Sequence, residues 1–412
     1  MILKFFYTIG IYLLSLVLQV FSVFNKKIKL GVIGRKNTFE ILKNFNLESN
    51  KTIWMHCASL GEYEQGLPVI QEFKKIYPNY KVVVSFFSPS GYENKKNSKY
   101  ADCVVYLPLD TPSNARKFLN AVEPKIIIFV KYEIWPNILL EAEKRKIKAY
   151  LISATFRENQ IYFKWYGSFM RKALFTFNHI FTQDRNSELL LKNKGYKNTS
   201  VAGDTRFDRV SKQLDLDNSI DFIESFKNQK KIIVFGSSWP ADDTLFIPFI
   251  NNDAYDIKYI IAPHNIKSGY VDSITEQLKV SCVRYSEMEG KNLSDYKVLI
   301  LDTIGYLNRT YSYANIAYVG GAAGTTGLHN ILEAAVFGVP IIIGKNYNKF
   351  PEAIKLIRLG GVVSVKSAVE FEATLTELLN NRLLQVSQGE INKNFIENNK
   401  YATDKILKQI SI

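Results

Sequence analysis

From Thr52 onward the chain alternates short, apolar, β-branched runs with longer stretches whose apolar positions recur at helical spacing. The runs at 53–58, 81–87, 103–107, 125–130, 148–153 and 179–182 form one series, and those at 231–236, 257–263, 280–283, 297–301, 316–320 and 340–344 form a second. Runs that stay apolar, instead of alternating with polar positions, belong to strands covered on both faces. The stretches between them have the length and period of crossover helices. This pattern predicts an α/β fold of two doubly wound domains, 30–210 and 230–412. The polar, acidic stretch 211–229, SKQLDLDNSIDFIESFKNQ, is the linker between them. In such sheets ligands collect outside the carboxyl ends of the strands, which predicts a site in the cleft between the two domains.

Before the first series the pattern is different. Residues 5–24, FFYTIGIYLLSLVLQVFSVF, carry no charge, and about 20 apolar residues are what a helix needs to cross the hydrocarbon core of a bilayer. They predict an N-terminal membrane anchor within 1–29; a cleaved signal peptide is the competing reading, but 20–24 offers no pair of small residues for cleavage. Lys26, Lys27, Lys29, Arg35 and Lys36 follow the segment and only Lys4 precedes it. The positive-inside rule therefore leaves the rest of the chain in the cytoplasm. A length of 412 residues exceeds what one core serves, and 47% hydrophobic with 22% charged residues excludes both a disordered chain and a multi-span membrane protein. The formal charge of +14 favours anionic partners, and the apolar end makes these a lipid surface or a phosphorylated substrate, not nucleic acid. Cys57, Cys103 and Cys282 are odd in number and widely spaced, as reduced cysteines of a cytosolic protein are, and no zinc spacing occurs.

Candidate chemistry gathers where strands end. Residues 315–344, NIAYVGGAAGTTGLHNILEAAVFGVPIIIG, read as strand, glycine loop, short helix and strand. Gly320, Gly321, Gly324 and Gly327 allow close approach of a ligand, and a helix opening near Leu328 would aim its N–H groups at an anion. Asn330 and Glu333 share one helix face and can grip hydroxyls; the same spacing is that of a capping box. In 54–65, WMHCASLGEYEQ, Glu62 stands at a strand's carboxyl end as a candidate general base, and Ser59 with Glu62 again has capping-box spacing. Lys131 and Glu133 follow another run, with an ion pair or an ordered loop as the other reading of Glu133. Arg206, in GDTRFD, suits a phosphate or carboxylate. The turns GSSWP (236–240), APHN with His264, and DTIGY (302–306) end strands of the second series. Asp215 and Asp217 form a D-x-D pair, but in the linker, so no metal is expected. Residues 162–177, YFKWYGSFMRKALFTF, read either as an interfacial surface for lipid headgroups or as a buried helix with basic edges.

The stretches HCASLGE, SPSGYE, EIWPN, GDTRFD, YVGGAAGTTGLHNILEAA and FGVPIIIG run in order through both series. From about residue 30 to the end they make the chain similar to the 3-deoxy-D-manno-octulosonic acid (Kdo) transferases of Gram-negative lipopolysaccharide assembly. The resemblance implies a GT-B fold and inverting transfer of Kdo from CMP-Kdo to a lipid A precursor, lipid IVA, at the inner membrane, without a metal or other cofactor. It makes Glu62 the proton acceptor, and it sets Arg206 and Lys131 at positions that stabilise the transition state. Pro263, His264, Ile304, Gly305, Tyr306, Asn330, Ile331, Leu332 and Glu333 fall on the CMP contacts. Four departures from the family pattern stand out: Lys131 where many relatives carry glutamate, Pro263 for an arginine, Tyr306 for a glutamate, and Trp239-Pro240 in a usual histidine–glutamate–glycine turn. A UDP-sugar donor on the same fold, or a non-catalytic membrane-tethered binding protein, are the alternatives.

Overall fold

The computed structural model of the chain describes residues 2–45, 51–252 and 254–410. It consists of two compact units, Met1–Arg209 with Lys400–Ile412, and Val210–Asn399.

The first unit opens with the helices α1 (Ile2–Phe21) and α2 (Lys26–Asn44). Its sheet holds β1 (Thr52–Cys57), β2 (Lys81–Phe86), β3 (Cys103–Tyr106), β4 (Pro124–Val130), β5 (Lys148–Ala154), β6 (His179–Thr182) and β7 (Thr199–Val201), all parallel, in the order β3-β2-β1-β4-β5-β6-β7. Between the first five strands lie α3 (Leu60–Ile76), α4 (Pro89–Lys95), α5 (Pro112–Val122) and α6 (Pro136–Lys144). Proline at the first turn of α4, α5 and α6 wastes no N–H, and the Ser88 and Thr111 hydroxyls cap α4 and α5. The period of two survives inside the apolar runs. Trp54 of β1 joins one layer of core with Val83, Ile127 and Phe129, whereas Ile53 and Met55 join the other with Val82, Val84 and Ile128.

Among the described residues α1 contains the one stretch, Leu3–Phe21, long and apolar enough to cross a membrane. Phe5, Phe6, Leu13, Leu16 and Phe21 on it are exposed. The chain's last helix, Ala402–Leu407, returns to pack on α3, and Ile406 and Ile410 complete the core there.

The second unit carries β8 (Lys231–Ser238), β9 (Ile257–Pro263), β10 (Cys282–Arg284), β11 (Val298–Ile300), β12 (Ile316–Val319), β13 (Ile341–Gly344) and β14 (Val362–Val365), in the order β10-β11-β9-β8-β12-β13-β14, again all parallel. Phe235, Phe246, Tyr259, Tyr318 and Phe371 fill its core, with the Phe235 and Phe246 rings stacked at 4.1 Å.

All twelve expected strands are present, with small shifts at their ends. β7 and β14 escape the sequence pattern: they are three and four residues long, lie at sheet edges, and Ser200, Val201, Val363 and Ser364 are not fully buried. The stretch read as a linker, 211–229, contains the helix Asp221–Lys227, whose Ile223 and Phe226 are buried. Cys57 and Cys103 are buried and Cys282 half-buried, all three as free thiols.

Candidate active site

Each sheet has a point where the strand order reverses: between β1 and β4 in the first unit, and between β8 and β12 in the second. Neighbouring crossovers leave to opposite faces there, opening a crevice at the carboxyl ends of the strands. Glu62 and Lys131 follow β1 and β4 at the first point, and Asn330 and Glu333 follow β12 at the second, whereas Arg206 follows β7, His264 follows β9 and residues 304–306 follow β11.

In the first unit the turn after β1 leads into α3, which starts at Leu60 and places Glu62 in its first turn. Ser59 forms no cap there; its hydroxyl instead donates to the Glu62 carboxylate. Lys131, on the turn after β4, brings its ammonium to 3.8 Å from the same carboxylate. To do so Lys131 adopts the left-handed conformation, φ 72°, while its N–H donates to the Ile152 carbonyl at 2.8 Å. Such backbone in a non-glycine residue costs about 1 kcal/mol or more and persists where the surroundings enforce it. Glu133, two residues on, accepts from the Trp135 indole at 2.9 Å and meets His56 Nε2 at 3.3 Å. His56 is fully buried, its Nδ1 2.9 Å from the Ser85 hydroxyl. Glu133 therefore orders the loop, and Glu62 is the carboxylate left at the turn.

Arg206 reaches this end of the unit through Asp204, whose carboxylate accepts from Arg206 Nε at 2.8 Å and from Gln65 of α3 at 3.2 Å. Glu62, Lys131 and Arg206 are thus gathered about the start of α3.

In the second unit Asp242 ties the two turns of the reversal point together. Its buried carboxylate accepts from the backbone N–H of Trp239 (2.9 Å), of Gly321 (2.8 Å) and of Ala323 (3.3 Å), and from the Tyr318 hydroxyl (2.6 Å). Gly320 is required by this approach: a Cβ there would lie 2.5 Å from the Ser237 carbonyl oxygen. Beside it three rings pack together, Trp239 stacked on His264 at 4.6 Å and His264 tilted against His329 at 4.3 Å, and the Trp239 indole donates to His329 Nε2 at 3.0 Å. Burial, aided by His264, pushes His329 down to about 4, so it is neutral and accepts that bond. Packing of its ring against Trp239 and His329, which shields part of it from water, also lowers His264 although the residue stays solvent-accessible.

The helix expected near Leu328 begins at Leu332 and lasts one turn, to Ala335. Gly327 at φ 98° and the bond from His329 N to Gly320 O keep the chain in loop conformation four residues longer. The reading of a helix N-terminus aimed at an anion is corrected accordingly; one turn has little dipole. Asn330 and Glu333 lie together as the spacing required, but they bond each other at 3.1 Å while Asn330 also accepts from Leu332 N. Ile331 and Leu332 are buried, so only their backbone can face a ligand. Pro263 is the buried end of β9 and His264 the exposed residue after it. Ile304 is exposed, Gly305 takes φ 104°, and Tyr306 packs on Phe222 and Tyr285 at 5.2 and 5.4 Å.

Sequence reading missed Asp242 and His329. A signal existed for the first, since Trp239-Pro-Ala-Asp242 has the spacing of a capping residue three positions into a helix. Nothing local marks His329. Of 162–177, Tyr162, Phe163, Ala173 and Leu174 are buried, whereas Trp165 and Tyr166 are exposed, and the helix longer than one turn there is Ser168–Leu174. Among the described residues no group of three or more His, Cys, Asp or Glu side chains is disposed to hold a metal, and Asp217 instead accepts from Ser219.

The model of the 3-deoxy-D-manno-octulosonic-acid transferase (kdotransferase) family matches residues 34–209. Curated 3-deoxy-D-manno-octulosonic acid transferases align along most of the chain. That of Haemophilus influenzae is 26% identical over 371 residues, covering 86% of this chain and 85% of its own, and that of Aquifex aeolicus 27% over 353 residues, covering 83% and 91%. This chain is similar to Kdo transferases along most of its length. It is a glycosyltransferase, and its two doubly wound units are those of the GT-B fold. MurG of Acinetobacter baumannii superposes with a TM-score of 0.52 at 13% identity over 87% of this chain and 99% of its own. UDP-GlcNAc 2-epimerase of Neisseria meningitidis, bound to UDP-GlcNAc, does so with 0.61 at 16% identity over 87% and 98%. At such identities these two speak for the fold alone. In this structure the Lys131 ammonium faces Glu62.

Proposed function

We propose that this chain transfers Kdo from CMP-Kdo to a hydroxyl of a lipid A precursor, lipid IVA, with inversion, at the cytoplasmic face of the inner membrane. The observation that carries the reading is Glu62, a largely sheltered carboxylate on the turn at the first sheet's reversal point, touched by the Ser59 hydroxyl and the Lys131 ammonium. Glu62 takes the proton of the acceptor hydroxyl as its oxygen bonds to the anomeric carbon of Kdo. The bond from that carbon to the CMP phosphate oxygen breaks, and CMP leaves with the electron pair. Lys131 and Arg206 supply positive charge for the negative charge that develops. The second unit holds the nucleotide with backbone from the turns after β8 and β12, with Asn330 and Glu333, and with the segments at Pro263, His264 and 304–306. The chain's own residues do this work in the proposal, without a metal. The apolar α1 seats the enzyme at the membrane that supplies its acceptor.

In the test, Glu62→Gln keeps its fold and its affinity for CMP but loses about 10²- to 10⁴-fold in turnover of CMP-Kdo and lipid IVA, read by mass spectrometry. Near-normal turnover removes Glu62 from the role. In the same preparation CMP raises the melting temperature more than UDP does; the reverse order transfers the chain to a UDP-sugar donor.

A further inference from the structure

Apart from the reversal points, the first unit contains a groove of about 360 Å³ where α1, α2 and the turn into α5 meet. Its lining mixes apolar residues, Leu18 of α1 with Val32 and Phe39 of α2, with the basic Arg35 and Lys36, which share the same face of α2, and Ser113.

Arg35 is the unusual member. Its guanidinium lies 4.3 Å over the Phe87 ring, and it donates to the carbonyls of Gly31 at 2.9 Å and of Phe87 at 2.5 Å. Its Nε is buried without a partner, and among the described residues no carboxylate pairs with it. Burial pushes the group down to about 10, so its charge is short of compensation. A guanidinium withdrawn from water costs several kcal/mol unless an anion faces it. Lys36, exposed at its side, adds a second positive charge.

The α1 side of the groove is anchored as well. Tyr7 of α1 donates to the buried Asp110 at 2.8 Å and its ring meets Phe169 at 5.6 Å, while Ile11 is buried. Tyr7 and Leu18 are eleven residues apart, about 17 Å along a helix, so α1 lies along the unit over that length. Its other faces expose Phe6, Leu13, Leu16 and Val17. A cationic pocket open beside a long apolar stripe complements a molecule with a phosphate at one end and hydrocarbon at the other, and its volume suits one headgroup.

We propose that this groove binds an anionic glycerophospholipid of the surrounding leaflet, its phosphate on Arg35 and Lys36 and its acyl chains along α1. The proposal rests on the reading of α1 as seated in the membrane and is independent of the sugar-transfer chemistry.

The test uses the full chain in mild detergent and native mass spectrometry with phosphatidylglycerol or phosphatidylcholine added. The wild type retains phosphatidylglycerol about twentyfold in preference, each of two basic groups contributing about a factor of five. The double variant Arg35→Gln, Lys36→Gln loses the preference. Because Arg35 also braces Phe87, a second variant is needed: Ser113→Phe fills the groove, leaves Arg35 in place, and loses the retained lipid. Equal retention by wild type and Ser113→Phe overturns the proposal, and so does displacement of the lipid by inorganic phosphate or by lipid IVA at equal concentration. Flotation with phosphatidylcholine vesicles separates the two premises. A chain that does not float refutes the seating of α1, and one that floats without preferring phosphatidylglycerol refutes the groove alone.

Discussion

Asp242 and Asp243 are adjacent and both buried, yet they are held in opposite ways. Asp242 accepts four hydrogen bonds and serves as a carboxylate pin. Asp243 accepts from Tyr270 at 2.8 Å while its Oδ1 is buried unpaired. Burial, reinforced by Asp242, pushes it up to about 7 against the pull of Tyr270 and Ser238. Since the folded value lies above the unfolded one near 4, the protonated form is favoured on folding. Its contribution is full below pH about 4, declines as pH rises toward 7, and is lost above. Asp243→Asn is expected to flatten this part of the pH dependence, read from urea midpoints between pH 5 and 8; an unchanged slope would assign the titration to another group. At Gly320 the constraint is steric. Gly320→Ala sets a methyl 2.5 Å from the Ser237 carbonyl oxygen and 2.8 Å from the Ser238 Cα, both backbone atoms. It should cost about 1–3 kcal/mol and abolish the thermal shift produced by CMP. Glu62 was legible in sequence as a carboxylate at a strand end. Its pairing with Lys131 was not, because those residues lie on different crossovers and meet only through the adjacency of β1 and β4.

Among elements, the strands were the more legible because burial on both faces writes itself as an apolar run. β7 and β14 failed that test for the reason that makes them edges: one side lacks a neighbour, so polar residues are tolerated. The short helix after the glycine loop was placed too early because an apolar, glycine-punctuated segment has no period that separates loop from first turn. The last helix shows the opposite case, in which an ordinary amphipathic stretch is committed by its partners. Asp208 accepts from Thr403 N at 2.7 Å and from its hydroxyl at 2.8 Å, and Ile406 is fully buried. Deleting 400–412 removes Ile406 and Ile410 from the core and strips Asp208 of donors. About 3 kcal/mol or more should be lost, seen as a lower urea midpoint for the first unit's tryptophan signal; an unchanged midpoint would show that this helix contributes no stability.

For the whole molecule, the chain crosses from one unit to the other twice, near Arg209 and again near Asn399. Outside the two cores, α1 exposes Phe5, Phe6, Leu13, Leu16 and Phe21. Removing residues 2–24 should release the protein from membranes and, because it strips the buried Asp110 of the Tyr7 hydroxyl and removes the buried Ile11, lower the melting temperature of the first unit. Membrane retention of the truncated chain would shift the attachment to the exposed Trp165 and Tyr166.

The order of apolar and polar residues by itself determined the α/β class, the doubling of the architecture, the apolar leading helix and the strand ends at which chemistry gathers, since each follows from a local period or from burial of a contiguous run. Tertiary structure decided which side chains face one another: Lys131 with Glu62, Asp242 with the glycine loop, Trp239 with His329, and Arg35 with no acid among the described residues. Those pairings depend on strand order and on the depth of each group in the unit, and separation along the chain carries neither quantity.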